Sequence, residues 1–218
     1  SFSFPSLSDK IGLFIVEFVG NGHSARAVIK KGQLSLVHRS TIAGHLAYVL
    51  DQDKQICVGE RTGVWFEGKF YEADRKTGGI FIPYNKTEKS GNLIMINGDF
   101  AQLGQFTQKS EQYAFDCAMF LNDESLLVGA STSILIKPKL TINGRAADLS
   151  LLQNTRIVLQ TTNYIDNVPV TRNYDGIVFD SKREYLLQFQ VPPNLGKISV
   201  SLTTEVKNTT TKRMDTFS

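Results

Sequence analysis

A chain of 218 residues, 41% apolar and 21% charged, is long enough for one large or two ordinary domains, each burying its own core. The formal net charge is +3, with Lys and Arg interspersed among Asp and Glu. No basic run exists to track phosphates, which argues against nucleic-acid binding, and no run approaches the ~20 apolar residues of a spanning helix, so no membrane span is predicted.

The alternation of apolar and polar residues has period two almost throughout, which is the strand signal. The first strand is predicted over 11–19, with Phe14, Val16 and Phe18 on one face. Asn21-Gly22 turns it into a partner over 25–30, and Lys31-Gly32 leads to a third strand over 34–38. Strands follow over 43–50, 55–59, 62–66 and 69–72, the last two joined at Glu67-Gly68. Residues 79–83 form a strand that Pro83 ends, because proline cannot donate to a ladder. A polar loop over 87–91 precedes a strand over 92–96. Residues 101–106 are ambiguous and are read as a short turn of helix, and 111–121 as a long alternating strand.

Further strands are predicted over 133–142, 156–162, 168–174, 177–180, 183–191 and 197–207, with a short element over 149–152. Short strands at this spacing are the pattern of an antiparallel β-sandwich. The fold class expected is all-β, with tandem antiparallel sandwich modules of immunoglobulin-like type.

Residues 12–22, Gly-Leu-Phe-Ile-Val-Glu-Phe-Val-Gly-Asn-Gly, and 25–34, Ala-Arg-Ala-Val-Ile-Lys-Lys-Gly-Gln-Leu, resemble a segment of the large secreted proteins related to the alpha-macroglobulins. Residues 47–83 look like a transthyretin-like, or carboxypeptidase-regulatory-like, module, and 140–206 are similar to a macroglobulin-type sandwich. The resemblance implies an N-terminal β meander or connector over 1–39, a transthyretin-like sandwich over 40–122 and a macroglobulin-like sandwich over 123–218. It also implies an extracellular or secreted protein. The thioester run of that family is absent: Ile56-Cys57-Val58-Gly59-Glu60 lacks the glycine before the cysteine and the glutamine. Only scaffold modules are therefore carried over.

Reactive chemistry finds little support. His23, His38 and His45 have no partner at metal-ligand spacing, and no nucleophile elbow exists. Asp51-Gln52-Asp53 starts like a calcium loop, but Gln55 and Cys57 stand where ligands belong, so a solvated turn is expected; an edge site from Asp51, Asp53 and Asp74 is the remaining alternative. No catalytic residue, metal or cofactor is predicted. Cys57 and Cys117 either pair, closing a loop of about 60 residues worth about 4 kcal/mol on the chain-entropy model, or are buried free thiols. Asn85 and Asn208 head glycosylation triplets. Trp65, Phe66, Phe70 and Tyr71 are dense enough to form either sandwich core or an exposed contact patch.

Ser1-Phe2-Ser3-Phe4-Pro5 lacks an initiator Met and a signal-peptide pattern, and the chain is read as a piece of something longer. The function expected is non-enzymatic: a rigid spacer and contact segment of a larger extracellular protein, with neighbouring domains or other subunits as partners. The alternative is a binding module, for carbohydrate through Trp65 or for a protease through macroglobulin-like trapping.

Overall fold

Nearly every alternating run of the sequence is a strand in the computed structural model, which describes residues 3–218; Ser1 and Phe2 of the N-terminal run lie outside the described residues. The chain divides into two compact units, the first ending at Ser110 and the second running from Glu111 to Ser218.

In the first unit, β1 (Gly12–Gly20) and β2 (His23–Lys31) form a two-stranded hairpin. The next seven strands make two sheets: β3 (Ser35–Ser40), β4 (Gly44–Leu50), β5 (Thr62–Phe66), β6 (Lys69–Glu72), β7 (Ile80–Pro83), β8 (Lys89–Asn97) and β9 (Phe100–Gln108). One sheet has the order β3-β4-β7 and the other β6-β5-β8-β9. Ala47, Val49, Ile80 and Ile82 of the first sheet and Val64, Phe66, Leu93, Met95 and Phe106 of the second form one buried cluster. Burial alternates along β4 and β8 because successive side chains point to opposite faces.

The second unit has β10 (Tyr113–Leu121), β11 (Ser131–Ile142), β12 (Arg145–Ala146), β13 (Leu152–Asn163), β14 (Pro169–Asp175), β15 (Tyr185–Gln190), β16 (Leu195–Lys207) and β17 (Met214–Phe217). Strand β11 pairs with β10, β12 and β15, while the other sheet has the order β14-β13-β16-β17. Ile134, Ile136, Leu187 and Phe189 share a core with Ile157, Leu159 and Leu202.

Several elements differ from expectation. Residues 101–106 are not helical but lie inside β9, paired along its whole length with β8. Gly104 and the glutamines had blurred the alternation, yet Gly104 gives the Met95 side chain room on the inner face. Residues 55–59 form no strand; one bridge joins Leu50 to Ile56, and the Cys57 N–H donates to Val49 O. Residues 177–180 are a loop that buries Phe179. The meander expected over 1–39 does not stand apart, because its last strand, β3, pairs with β4. Likewise β10 belongs with β11 in the second unit, not with the module expected to end at residue 122.

Two buried polar groups fix these sandwiches. His45 is fully buried, its Nε2 accepts the Lys109 N–H at 3.0 Å, and its ring meets Tyr84 and Phe106 edge-on at 5.3 and 5.2 Å. Burial, followed by the charges of His38 and Lys109, lowers its pKa from 6.5 to about 4. In the second unit, the Glu111 carboxylate accepts the N–H groups of Thr209 and Thr210 at 3.0 and 2.8 Å and both threonine hydroxyls. Tyr113 Oη–H adds a bond at 2.7 Å. Burial would raise this carboxyl, but the bonds from Thr210, Thr209 and Tyr113 outweigh it and hold the group below its usual range. The first residue of the unit is thereby tied to the turn between β16 and β17.

Native His45 stays neutral down to about pH 4, while an unfolded chain protonates it near 6.5. Between those values the unfolded state holds more protons, so stability falls as pH falls, by up to about 3 kcal/mol at 1.36 kcal/mol per pKa unit. Urea unfolding across that window should show this slope, and His45→Gln should flatten it. Glu111→Gln should cost the second unit about 3 kcal/mol, because charge-assisted bonds are lost and an amide N–H₂ faces backbone donors. It should also remove an acid limb, since a depressed carboxyl contributes stability that is lost as pH falls through its folded pKa. Denaturant midpoints against pH measure both effects.

Candidate interaction surfaces

The turn at Glu67-Gly68 decides where the single tryptophan goes. Both residues have positive φ, 48° and 75°, the pairing of a two-residue hairpin turn matched to strand twist. That turn sets Phe66 opposite Lys69 and Trp65 opposite Phe70. Because Phe66 faces the core, Trp65 must face out; it is 45% exposed while Phe66 is fully buried. Tyr71 lies opposite Val64 and packs against the core, with Lys69 Nζ over its ring at 5.0 Å. The four aromatics read as either sandwich core or contact patch are therefore split: Trp65 and Phe70 share the outer face, and Phe66 and Tyr71 the inner.

Register extends the outer pair across the sheet. Trp65 lies opposite Ile94, and Ile94 opposite Leu103, so Phe70, Trp65, Ile94 and Leu103 form one row over β6, β5, β8 and β9. Ile94 is 37% and Leu103 67% exposed. Gly63 makes this face flat: a Cβ there would stand 2.6 Å from the Phe70 ring and 2.4 Å from Tyr71 O. Exposed ion pairs frame the row, Glu67–Lys89 at 3.1 Å, Arg61–Asp99 at 2.8 Å and Glu72–Arg75 at 3.8 Å. Each contributes little to stability, but together they give an apolar centre with a charged rim. Ile94 lies on the strand predicted over 92–96, where alternation from buried Leu93 and Met95 sets it outside, whereas Leu103 lies on β9, which the sequence pattern does not mark as a strand.

The remaining candidates have structural roles. Cys57 and Cys117 are free thiols, one in each unit. Burial, then the Asp51 charge, raises the Cys57 pKa; burial, then Asp116, raises that of Cys117 to about 11. Neither is a ready thiolate. Asn208 is 4% exposed, and its Nδ2 donates to Glu111 O and Asp215 Oδ2 at 3.1 and 3.2 Å. The nitrogen that would carry a glycan is thus committed to the fold, as is the Thr210 hydroxyl of the same triplet. Asn85 is half-buried, and its Oδ1 accepts the Lys86 N–H. Asp51 Oδ1 accepts the N–H groups of Asp53 and Gln55, both at 2.9 Å, and Asp74 Oδ1 accepts those of Lys76 and Thr77. These carboxylates shape turns. Among the described residues no three His, Cys, Asp or Glu side chains converge as a metal site. His23 and His38 lie on exposed strand positions of β2 and β3.

Comparison with known proteins changes the family expectation. Residues 122–218 match the family model of the AbpF third immunoglobulin-like domain, and residues 1–32 that of the AbpF first immunoglobulin-like domain. The chain is 28% identical over 214 residues to actin-binding protein F of Dictyostelium discoideum, a match covering 94% of this chain and 9% of that protein. No solved structure matches the chain significantly. The macroglobulin-like and transthyretin-like resemblance is thereby replaced by an immunoglobulin-like one. The expectation of an extracellular or secreted protein is also contradicted, since the similar protein is named for binding actin. The chain is an all-β protein with an immunoglobulin-like fold, similar to a small part of a much longer actin-binding protein.

Proposed function

We propose that this chain is a non-enzymatic spacer and contact segment of a longer actin-associated protein, and that the outer face of the β6-β5-β8-β9 sheet is its contact surface. The in-register row of Phe70, Trp65, Ile94 and Leu103 carries this reading. An exposed tryptophan in an apolar row with a charged rim has the composition of an interface centre. The neighbours of Trp65 in the row are apolar, which favours a protein over a sugar, because a sugar needs polar groups beside the ring. The name of the Dictyostelium relative supports the actin filament as the partner.

The order of the matched models supports a modular arrangement. Residues 1–32 match a first immunoglobulin-like domain and residues 122–218 a third, which favours reading the sandwich of β3 to β9 as the second. A series of rigid sandwiches sets distance between contact points without any chemistry of its own.

Co-sedimentation with actin filaments tests this. The chain should pellet with filaments, and Trp65→Ser should weaken binding by about 2 kcal/mol, roughly thirtyfold, as expected of a central aromatic. Leu103→Ser should weaken it less. Both positions are solvent-exposed, so the melting curve of each variant should stay close to that of the parent. Equal pelleting of parent and variants, or no pelleting of the parent, would overturn the reading.

A further inference from the structure

A second surface lies on the other unit and does not depend on the actin reading. At one end of the second sandwich, three loops meet: residues 122–130 between β10 and β11, 164–168 between β13 and β14, and 191–194 between β15 and β16. They surround a groove of about 520 Å³ whose lining includes Leu121, Leu126, Val128 and Ile198 together with Asp123 and Lys197. That volume falls within the roughly 300–1,000 Å³ of ligand-binding clefts.

The loops are tied to one another through their backbones. Gly129 N–H donates to Val191 O and Val191 N–H to Ala130 O, both at 3.0 Å, and Tyr164 N–H donates to Asn194 O at 2.9 Å. Gly196 allows this approach, since a Cβ there would stand 2.8 Å from that of Tyr164. These bonds join the loops around the groove before any ligand arrives, which lowers the cost of ordering them on binding.

The loop tips are apolar, and the charges that the loops themselves carry are of one sign. Leu127, Val128, Tyr164 and Ile165 are each between 64% and 69% exposed. The three loops carry Asp123, Glu124 and Asp166 and no Lys or Arg, in a chain whose net charge is +3. Lys197, on β16, and Asp123 both line the groove, so the acidic residues of the loops outnumber the basic one there three to one. Acidic tips repel an anionic bilayer, so the exposed leucine and tyrosine are not matched to a membrane surface. They are matched to a protein segment that brings apolar side chains between basic ones.

We infer that this end of the second sandwich docks a short apolar peptide segment flanked by Lys or Arg on a partner protein. The apolar residues of the segment fill the groove, and its basic residues face Asp123, Glu124 and Asp166.

The test uses the whole chain and two synthetic peptides with the same leucine-rich centre, one flanked by lysines and the other by glutamates. Backbone amide spectra should show the lysine peptide perturbing the three loops, binding at least about tenfold more tightly than the glutamate peptide, and weakening with salt. Asp123→Lys with Glu124→Lys should reverse the preference. Leu127→Ser with Val128→Ser should abolish binding of either peptide while leaving the amide spectrum of the strands unchanged. Absence of binding, equal binding of both peptides, perturbation centred on the Trp65 face, or binding to phosphatidylserine vesicles in place of the peptide would each overturn the inference.

Discussion

Burial of one face of each sandwich sheet is the constraint on which this structure depends. Because side chains alternate, a pairing register that buries Val64, Phe66, Leu93 and Met95 leaves Trp65 and Ile94 no choice of side. The two-residue turn at Glu67-Gly68 locks that register from one end, and the full-length pairing of β8 with β9 locks it from the other. The outward apolar row is thus a consequence of the core register, but its composition is not. Sheet packing would tolerate polar residues at 65, 94 and 103, and apolar ones there give up solubility for no gain in the core. That asymmetry separates a contact surface from incidental exposure.

The groups with shifted ionisation belong to the same economy of packing. His45 is kept neutral inside the first sandwich, and Glu111 is kept ionised by five donors within a few residues of its own turn and the β16–β17 turn. Each is explained by what it holds together. Shifted groups mark functional sites only when they gather in a cleft beside other reactive groups, and these do not. The groove of the second sandwich is lined by apolar side chains with Asp123 and Lys197 among them, a composition that suits recognition.

Much of the fold was legible in the sequence, because alternation is a local signal. The strands over Gly12–Gly20, Tyr113–Leu121 and Leu195–Lys207 declare themselves by their own residues. The strand over Phe100–Gln108 did not, since a glycine and glutamines interrupt its inner face, and only pairing with β8 makes it a strand. The candidate surface was half legible. Trp65 and Phe70 are joined by a hairpin turn that can be read directly, but Ile94 and Leu103 come from sequence-distant strands. Long separation also hid the clamp between Glu111 and Thr209-Thr210, so Asn208 looked like a glycan acceptor although its amide is part of the core. The family likeness failed for a related reason: alternation and turn residues are shared by many sandwich folds, and loose patterns of this kind do not separate one from another.

Hydroxyl-radical footprinting of the chain, free and bound to actin filaments, examines the contact surface most directly, because it reads individual side chains. Trp65, exposed on the free chain, should lose most of its oxidation in the complex, with Phe70 and Leu103 protected alongside it and the loops of the second sandwich unchanged. Undiminished oxidation of Trp65 in a complex that demonstrably forms would contradict the assignment of that sheet face as the contact surface.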